Sequence, residues 1–467
     1  MKNVSIILVG ELVFRLISLL IVISLARHLS IEDFGKYNFV FVYVGLFSII
    51  TDLGLGDIIV REMARDTNKM PQIFGNAYII RIILSFLAIL IAIITISLMK
   101  YPADTKIYVY IASLILLFQS ISETYRTLFR TTLKMEYEII AKLLFKIVSA
   151  ILIFYIIAAN GTLLQIVFAI TFSELLRSLL NYIFSKKIIH IKLSINFIMW
   201  KFLLKESLPI ALSGIFLVVY NRIDVLMISM MKGDLAVGVY SAAFTLSEPL
   251  GLIPYSIIVP LFPVMATSIQ HSKERLIKSY EMGFKFIIIL MMPIAFGTTL
   301  ISDKIILLIY GPSYVDSIIT LKILIWSLFI VSINYLLTSV LTAINKQKLT
   351  TLNMSICVIA NVLMNLLLIP LFSYNGAAIA TVITQLILLL LNNYYISKYL
   401  GNLLMYNKFI KPLIACLVMG LPVYYLNNFS SLNVFIIIAF AATIYWLLLF
   451  KLEIFSTEEN IIIKKFS

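Results

Sequence analysis

The sequence predicts an all-α integral membrane protein of about fourteen transmembrane helices: two six-helix lobes related by a parallel pseudo-two-fold repeat, plus two C-terminal helices. Three observations lead there: a composition that is 61% hydrophobic and only 13% charged, apolar runs of bilayer-crossing length, and short patterns that recur in the two halves. Soluble domains carry roughly a quarter charged residues, so no water-soluble fold hides this much apolar surface.

Runs such as 79–99, 107–118, 147–158 and 434–449 approach the roughly 20 apolar residues that cross about 30 Å of hydrocarbon. On that rule the spans fall near 5–27, 37–59, 72–99, 106–129, 137–159, 161–184 and 203–230. They continue at 236–266, 281–302, 315–344, 348–370, 375–397, 408–427 and 432–451. The first follows Met1-Lys2 directly and carries Glu11 and Arg15. With no small-residue cleavage site after it, it reads as a retained helix rather than a signal peptide.

The formal net charge is +14. In a soluble chain that would point to nucleic acid; here topology accounts for it, because short cytoplasmic loops collect Lys and Arg. With the amino terminus inside, Arg61, Arg65, Lys69, Arg126, Arg130, Lys134, Lys186, Lys187, Lys192, Lys346, Lys464 and Lys465, among others, face the cytoplasm. Arg27, Lys36, Lys100, Lys106, Lys232 and Lys304 stay opposite. Both termini are therefore expected in the cytoplasm, in a cell (plasma or inner) membrane, with no nucleic-acid partner. Cys357 and Cys416 lie in apolar segments, where a thiol acts as a small hydrophobe. His28, His190 and His271 are far apart and lack metal-ligand spacing, so no metal site is expected.

No loop is long enough for an extramembrane domain. The longest, near 185–201, reads as a hinge between an N-terminal lobe at 1–190 and a C-terminal lobe at 200–400. Two extra transmembrane helices at 405–455 and a cytoplasmic tail at 456–467 follow. Gly35-Lys36-Tyr37 after the first helix is echoed by Gly238-Val239-Tyr240 after the seventh. Asn160-Gly161 opens the sixth helix as Asn375-Gly376 opens the twelfth; these close on Asn181-Tyr182 and Ser185-Lys186, and on Asn393-Tyr394 and Ser397-Lys398. Six helices separate the copies, an even number, so the repeat is parallel and the two bundles define a transport cleft.

Charges inside spans face protein or water, since each costs about 3 kcal/mol or more in hydrocarbon. Arg15 sits near the middle of the first helix with Glu11 one turn earlier, on the same face. Arg222 and Asp224 lie in the seventh helix, and Glu248, beside Pro249, lies mid-depth in the eighth. Arg15 and Arg222 are the leading substrate-binding candidates; a guanidinium stays charged and binds phosphate bidentately, which suits a pyrophosphate head. Arg81 and Lys146 are further candidates, although snorkelling from shallow positions explains them equally well. Glu11, Asp52, Asp224 and Glu248 are candidates for H⁺ or Na⁺ coupling. The Gly54-Leu55-Gly56 pattern ends a membrane helix with no preceding strand, so it is read as a packing contact or a break rather than a nucleotide loop.

These residues resemble a known family. The passage Ala26-Arg27-His28-Leu29 through Phe34-Gly35-Lys36-Tyr37 is similar to the "A-R-x-L-x-x-x-x-F/Y-G-x-Y" segment of polysaccharide exporters and O-antigen-type flippases of the multidrug/oligosaccharidyl-lipid/polysaccharide superfamily. Asp52-Leu53-Gly54-Leu55 with Arg61-Glu62-Met63-Ala64 resembles the family's next element. Tyr220-Asn221-Arg222-Ile223-Asp224, Val237-Gly238-Val239-Tyr240 and Tyr310-Gly311-Pro312-Ser313-Tyr314 resemble its second-half counterparts. The resemblance implies a transporter without catalytic residues or cofactor, working as a monomer. Its partners would be membrane lipids and a polyprenyl-diphosphate-linked glycan, moved from the cytoplasmic leaflet to the outer one by alternating access. A multidrug cation antiporter of the same superfamily is the nearest alternative. A membrane glycan polymerase or ligase would need a larger external loop.

Overall fold

The computed structural model describes residues 2–189, 193–271, 273–401, 406–429, 432–452 and 454. His190, Lys192, Lys464, Lys465 and the 456–467 tail lie outside the described residues. The chain forms two compact units, Met1–Gly238 and Val239–Ser467.

The first unit opens with α1 (Lys2–His28). Ser30 caps α2 (Ile31–Asp52), its hydroxyl accepting from the Asp33 amide at 3.0 Å. The single span expected at 37–59 is in fact two helices. Leu53 (φ 43°) and Gly54 (φ 74°) both take the left-handed conformation, ending α2 and redirecting the chain into α3 (Leu55–Arg65). An added side chain at Gly54 would also run into the Ser207 and Ala211 backbone, 2.8–2.9 Å from its Cβ position. The amphipathic α3 buries Leu55, Ile58, Ile59 and Met63 and turns Asp57 and Arg65 outward, the apolar stripe of a helix packed on one side only.

Then come α4 (Met70–Leu98), α5 (Ala103–Thr131), α6 (Met135–Ala158) and α7 (Leu163–Ser185). A capping box between Thr162 and Gln165 starts α7, satisfying donors at the helix start. Asn196 caps α8 (Phe197–Lys232), which packs on α2, α3 and α4. The connection expected to be a hinge is fastened to the first unit by Asn76. Its side-chain oxygen accepts from the Asn196 amide (2.8 Å) and Trp200 Nε1 (2.9 Å), and its Nδ2 donates to Ser194 Oγ (2.9 Å). A buried amide must be satisfied, and this one holds the connection on α4. The packing unit is thus one helix longer than the six-helix sequence repeat.

The boundary between the units falls within α9 (Asp234–Ser247); the second unit continues with a 3₁₀ turn at Glu248–Gly251 set by Pro249, and α10 (Leu252–His271). Next are α11 (Lys273–Ile309), α12 (Ser317–Ala343) and α13 (Gln347–Leu400). At 1.5 Å per residue, the 54 residues of α13 would run about 80 Å if straight. They fold instead at Ser373, φ 52°. Asn353 Nδ2 donates to Asn392 Oδ1 at 2.9 Å, and Cys357 Sγ lies 3.7 Å from the Thr384 carbonyl, so the arms form an antiparallel hairpin. The last two helices, α14 (Tyr406–Phe429) and α15 (Val434–Lys451), dock on α11: Lys408 pairs with Glu281 at 2.8 Å, and the Tyr445 hydroxyl donates to the Ile289 carbonyl at 2.9 Å.

Twelve described helices are long and apolar enough to span a bilayer. Counting the α13 arms separately and adding α1 gives fourteen crossings. The duplicated Gly-x-Tyr elements meet: a Cβ added at Gly35 strikes the backbone of Asp234 and Gly238, and one at Gly238 strikes that of Ile31. Each glycine stands four residues after the backbone its partner strikes, so the contact reads the same both ways. The protein is a multi-pass helical membrane protein.

Candidate functional site

In the first unit, charged side chains gather in two adjoining groups. One lines a cavity of about 370 Å³ where α2 breaks into α3. Arg81, 2% exposed on α4, forms an ion pair with Asp52 at the end of α2. A cation buried this deeply is not snorkelling, so that alternative for Arg81 falls. On α5, Arg126 pairs with Glu123 and reaches Glu138 on α6, both at 2.9 Å, while Arg130 meets Asp57 of α3 at 3.3 Å. Gln119, Ser120 and Thr127 complete one polar face of α5, and Ile210 of α8 contributes the apolar wall.

The second group lies deeper, on α1, α6 and α7. Glu11 accepts from Arg15 Nε (3.4 Å) and Lys142 Nζ (2.6 Å). The ammoniums of Lys142 and Lys146 stand 4.3 and 5.2 Å from the Phe14 ring centre, within the range of cation–π attraction. Lys146 is also within electrostatic reach of Glu174. Arg177 Nε is 3.1 Å from Glu174 Oε2 without hydrogen-bond geometry; both atoms are buried with no hydrogen-bond partner among the described residues. Four cations (Arg15, Lys142, Lys146, Arg177) thus stand among three carboxylates: Glu11, Glu174 and, shared with Arg126 of the first group, Glu138 on the same helix as the lysines. Lys146 lies halfway along α6, deeper than a shallow snorkelling position.

The structure therefore brings Glu11, Arg15 and Lys146 into one group and Asp52 and Arg81 into the other. Arg222 and Asp224 are on α8, Arg222 exposed and Asp224 buried, and neither lines the cavity. Glu248 is exposed in the 3₁₀ turn of the second unit, not within a continuous helix. Glu123, Arg126, Glu138, Lys142, Glu174 and Arg177 were not singled out in the sequence as site residues. Their signal was present: Gln119, Ser120, Glu123, Arg126, Thr127 and Arg130 recur at helical spacing, a polar stripe that a membrane helix keeps only against protein or water.

Comparison with known proteins follows this architecture. The family model described as polysaccharide biosynthesis protein matches residues 1–269, and the MatE model matches residues 209–367. The probable low-salt glycan biosynthesis flippase Agl15 of Haloferax volcanii is 24% identical over 205 residues, 44% of this chain and 43% of that protein. The match therefore spans less than half of that relative. The capsular polysaccharide biosynthesis protein CapF of Staphylococcus aureus is 24% identical over 407 residues, 85% of this chain and 99% of that one. The solved lipid II flippase MurJ, in its inward closed conformation, superposes with a TM-score of 0.79 at 15% identity, covering 94% of this chain and 97% of that one, which shows a shared fold. The chain belongs to the polysaccharide biosynthesis protein family, transporters of the multidrug/oligosaccharidyl-lipid/polysaccharide superfamily.

Proposed function

We propose that the protein is a flippase. It carries a polyprenyl-(pyro)phosphate-linked oligosaccharide from the cytoplasmic to the outer leaflet by alternating access, for surface polysaccharide or glycan export. The observation that carries this reading is the excess of cations over carboxylates at mid-depth on α1, α6 and α7. A permanent positive excess inside a membrane protein is costly unless an anion compensates it. A diphosphate does so with charge-assisted hydrogen bonds, and the polyprenyl tail stays in lipid. A carrier of organic cations would need the opposite balance. Arg15 and Lys146 are assigned as phosphate contacts, joined by Lys142 and Arg177, with Arg222 on α8 as a further contact during transit. Asp224, buried on α8, and Glu248 are kept as coupling carboxylates for H⁺ or Na⁺; Glu11 and Asp52 are held in ion pairs. Both termini are placed in the cytoplasm and the working unit is the monomer.

The test uses purified chain in vesicles with a fluorescent polyprenyl-diphosphate sugar, following the fraction that a membrane-impermeant quencher reaches. The Lys142→Ala, Lys146→Ala double variant is expected to slow exchange at least about tenfold, equivalent to roughly 1.4 kcal/mol of lost attraction; Lys348→Ala leaves it unchanged. Undiminished exchange in the double variant, or uptake of a cationic dye in place of the lipid, refutes the proposal.

A further inference from the structure

We infer that the cavity at the α2–α3 break is a sugar subsite, holding one uncharged, hydroxyl-rich ring of the glycan while the diphosphate lies on the deeper cations of α1, α6 and α7. This rests on the flippase reading and assigns two parts of one substrate to two places.

Charge balance separates them. Around the cavity, Arg81, Arg126 and Arg130 face Asp52, Asp57 and Glu123, and every guanidinium is already in an ion pair. Glu138 puts a second carboxylate on Arg126, so no positive charge is left over. A diphosphate here would set its oxygens against carboxylates in partly dehydrated surroundings, where like charges repel strongly. The deeper group has the excess that this one lacks.

Hydroxyls fit such a lining. Each both donates and accepts, so one sugar hydroxyl bridges a guanidinium and its carboxylate without changing the charge of either. Ser48, Thr51, Gln119, Ser120 and Thr127 add neutral partners. Arg81 Nε is buried with no hydrogen-bond partner among the described residues, an unmet donor inside the wall, where buried polar groups are normally satisfied. The volume of about 370 Å³ lies at the small end of ligand pockets, roughly 300–1,000 Å³, which suits a single ring better than a chain of them. Gly56 keeps that space open: a Cβ there would stand 3.4 Å from Arg81 Nη2 and 3.5 Å from Asp52 Oδ1. A methyl would just fit, and a branched side chain would fill the cavity.

The experiment titrates the full chain in lipid nanodiscs with two probes: a bare polyprenyl diphosphate, and the same lipid carrying one hexose or N-acetylhexosamine. The unmodified protein is expected to bind the sugar-bearing lipid about tenfold more tightly. Gly56→Leu, which occludes the cavity, and Gln119→Leu, which removes a neutral hydrogen-bonding group, lose that advantage and still bind the bare lipid as before; the retained binding also shows that they are folded. The Lys142→Ala, Lys146→Ala variant weakens both lipids alike. Equal binding of the two lipids by the unmodified protein overturns the sugar subsite alone, as does Gln119→Leu weakening both equally or neither. Binding of neither lipid by the unmodified protein removes the flippase reading, and the subsite with it.

Discussion

A guanidinium that is 2% exposed needs a counterion, and Asp52 supplies it to Arg81. Removing one partner of a buried pair costs about 3–5 kcal/mol; since the Asp52 side chain is 47% exposed, the low end applies. Asp52→Ala is therefore expected to destabilise the protein by about 3 kcal/mol, seen as a lowered unfolding midpoint in detergent, and an unshifted midpoint would show the pair to be dispensable. The sequence told part of this story. Glu11 and Arg15 were readable as neighbours from their four-residue spacing, and they do pair. Arg81 and Lys146 looked shallow because their distance from the helix start was read along one span alone, while their burial depends on the helices packed around them. The Asp52 partnership was not legible, since it depends on how α2 and α4 pack. Glu174 and Arg177 lie inside the expected span 161–184 and were not singled out, since no motif marks them and their burial depends on how α7 packs against its neighbours.

At the scale of elements, apolar runs located nearly every span, while the breaks depended on local backbone chemistry. The Gly54-Leu55-Gly56 pattern was read as a contact or a break, and Gly54 is both: it carries a positive φ and presses on the backbone of α8. Gly54→Ala adds conformational strain of about 1 kcal/mol to a steric clash that moves α8. The expected result is a loss of stability above that figure, and a neutral Gly54→Ala would mean that α8 yields freely. In α13 the turn falls at Ser373, just before the Asn375-Gly376 pair that marks the start of the second arm in the sequence. The hairpin is held by Asn353 and Asn392, with Asn334 bonded to the Gln385 carbonyl at 2.9 Å. Asn392→Leu leaves the Asn353 amide without its acceptor inside the membrane. Measured interhelical hydrogen bonds there average about 0.6 kcal/mol, so a small drop in midpoint is expected, well below that of Asp52→Ala.

For the whole molecule, an even count of fourteen crossings predicts that the two ends of the helical region share one side of the bilayer. Single cysteines at Lys187 and Lys346 should react with an impermeant maleimide from one face, and one at Lys304 from the other. The native Cys357 and Cys416 are fully buried and need no replacement for this. Labelling of Lys187 and Lys346 from opposite faces would show that a crossing has been miscounted. The repeat was visible in the sequence because it preserves small residues and turn formers, whereas the limit of the first packing unit was not. α8 belongs to that unit through its packing on α2, α3 and α4, begun by Asn76 holding the 194–200 segment, contacts with no counterpart in the pattern of hydrophobicity.

Gly35 and Gly238 let two segments meet through bare backbone: the Asp234 carbonyl takes the space a side chain would need at Gly35, and the Ile31 carbonyl takes it at Gly238. The two Gly-x-Tyr segments thus constrain each other at a feature that recurs in both. A side chain at either position would have to push the opposing main chain away, so the crossing tolerates bulk on neither side of the contact.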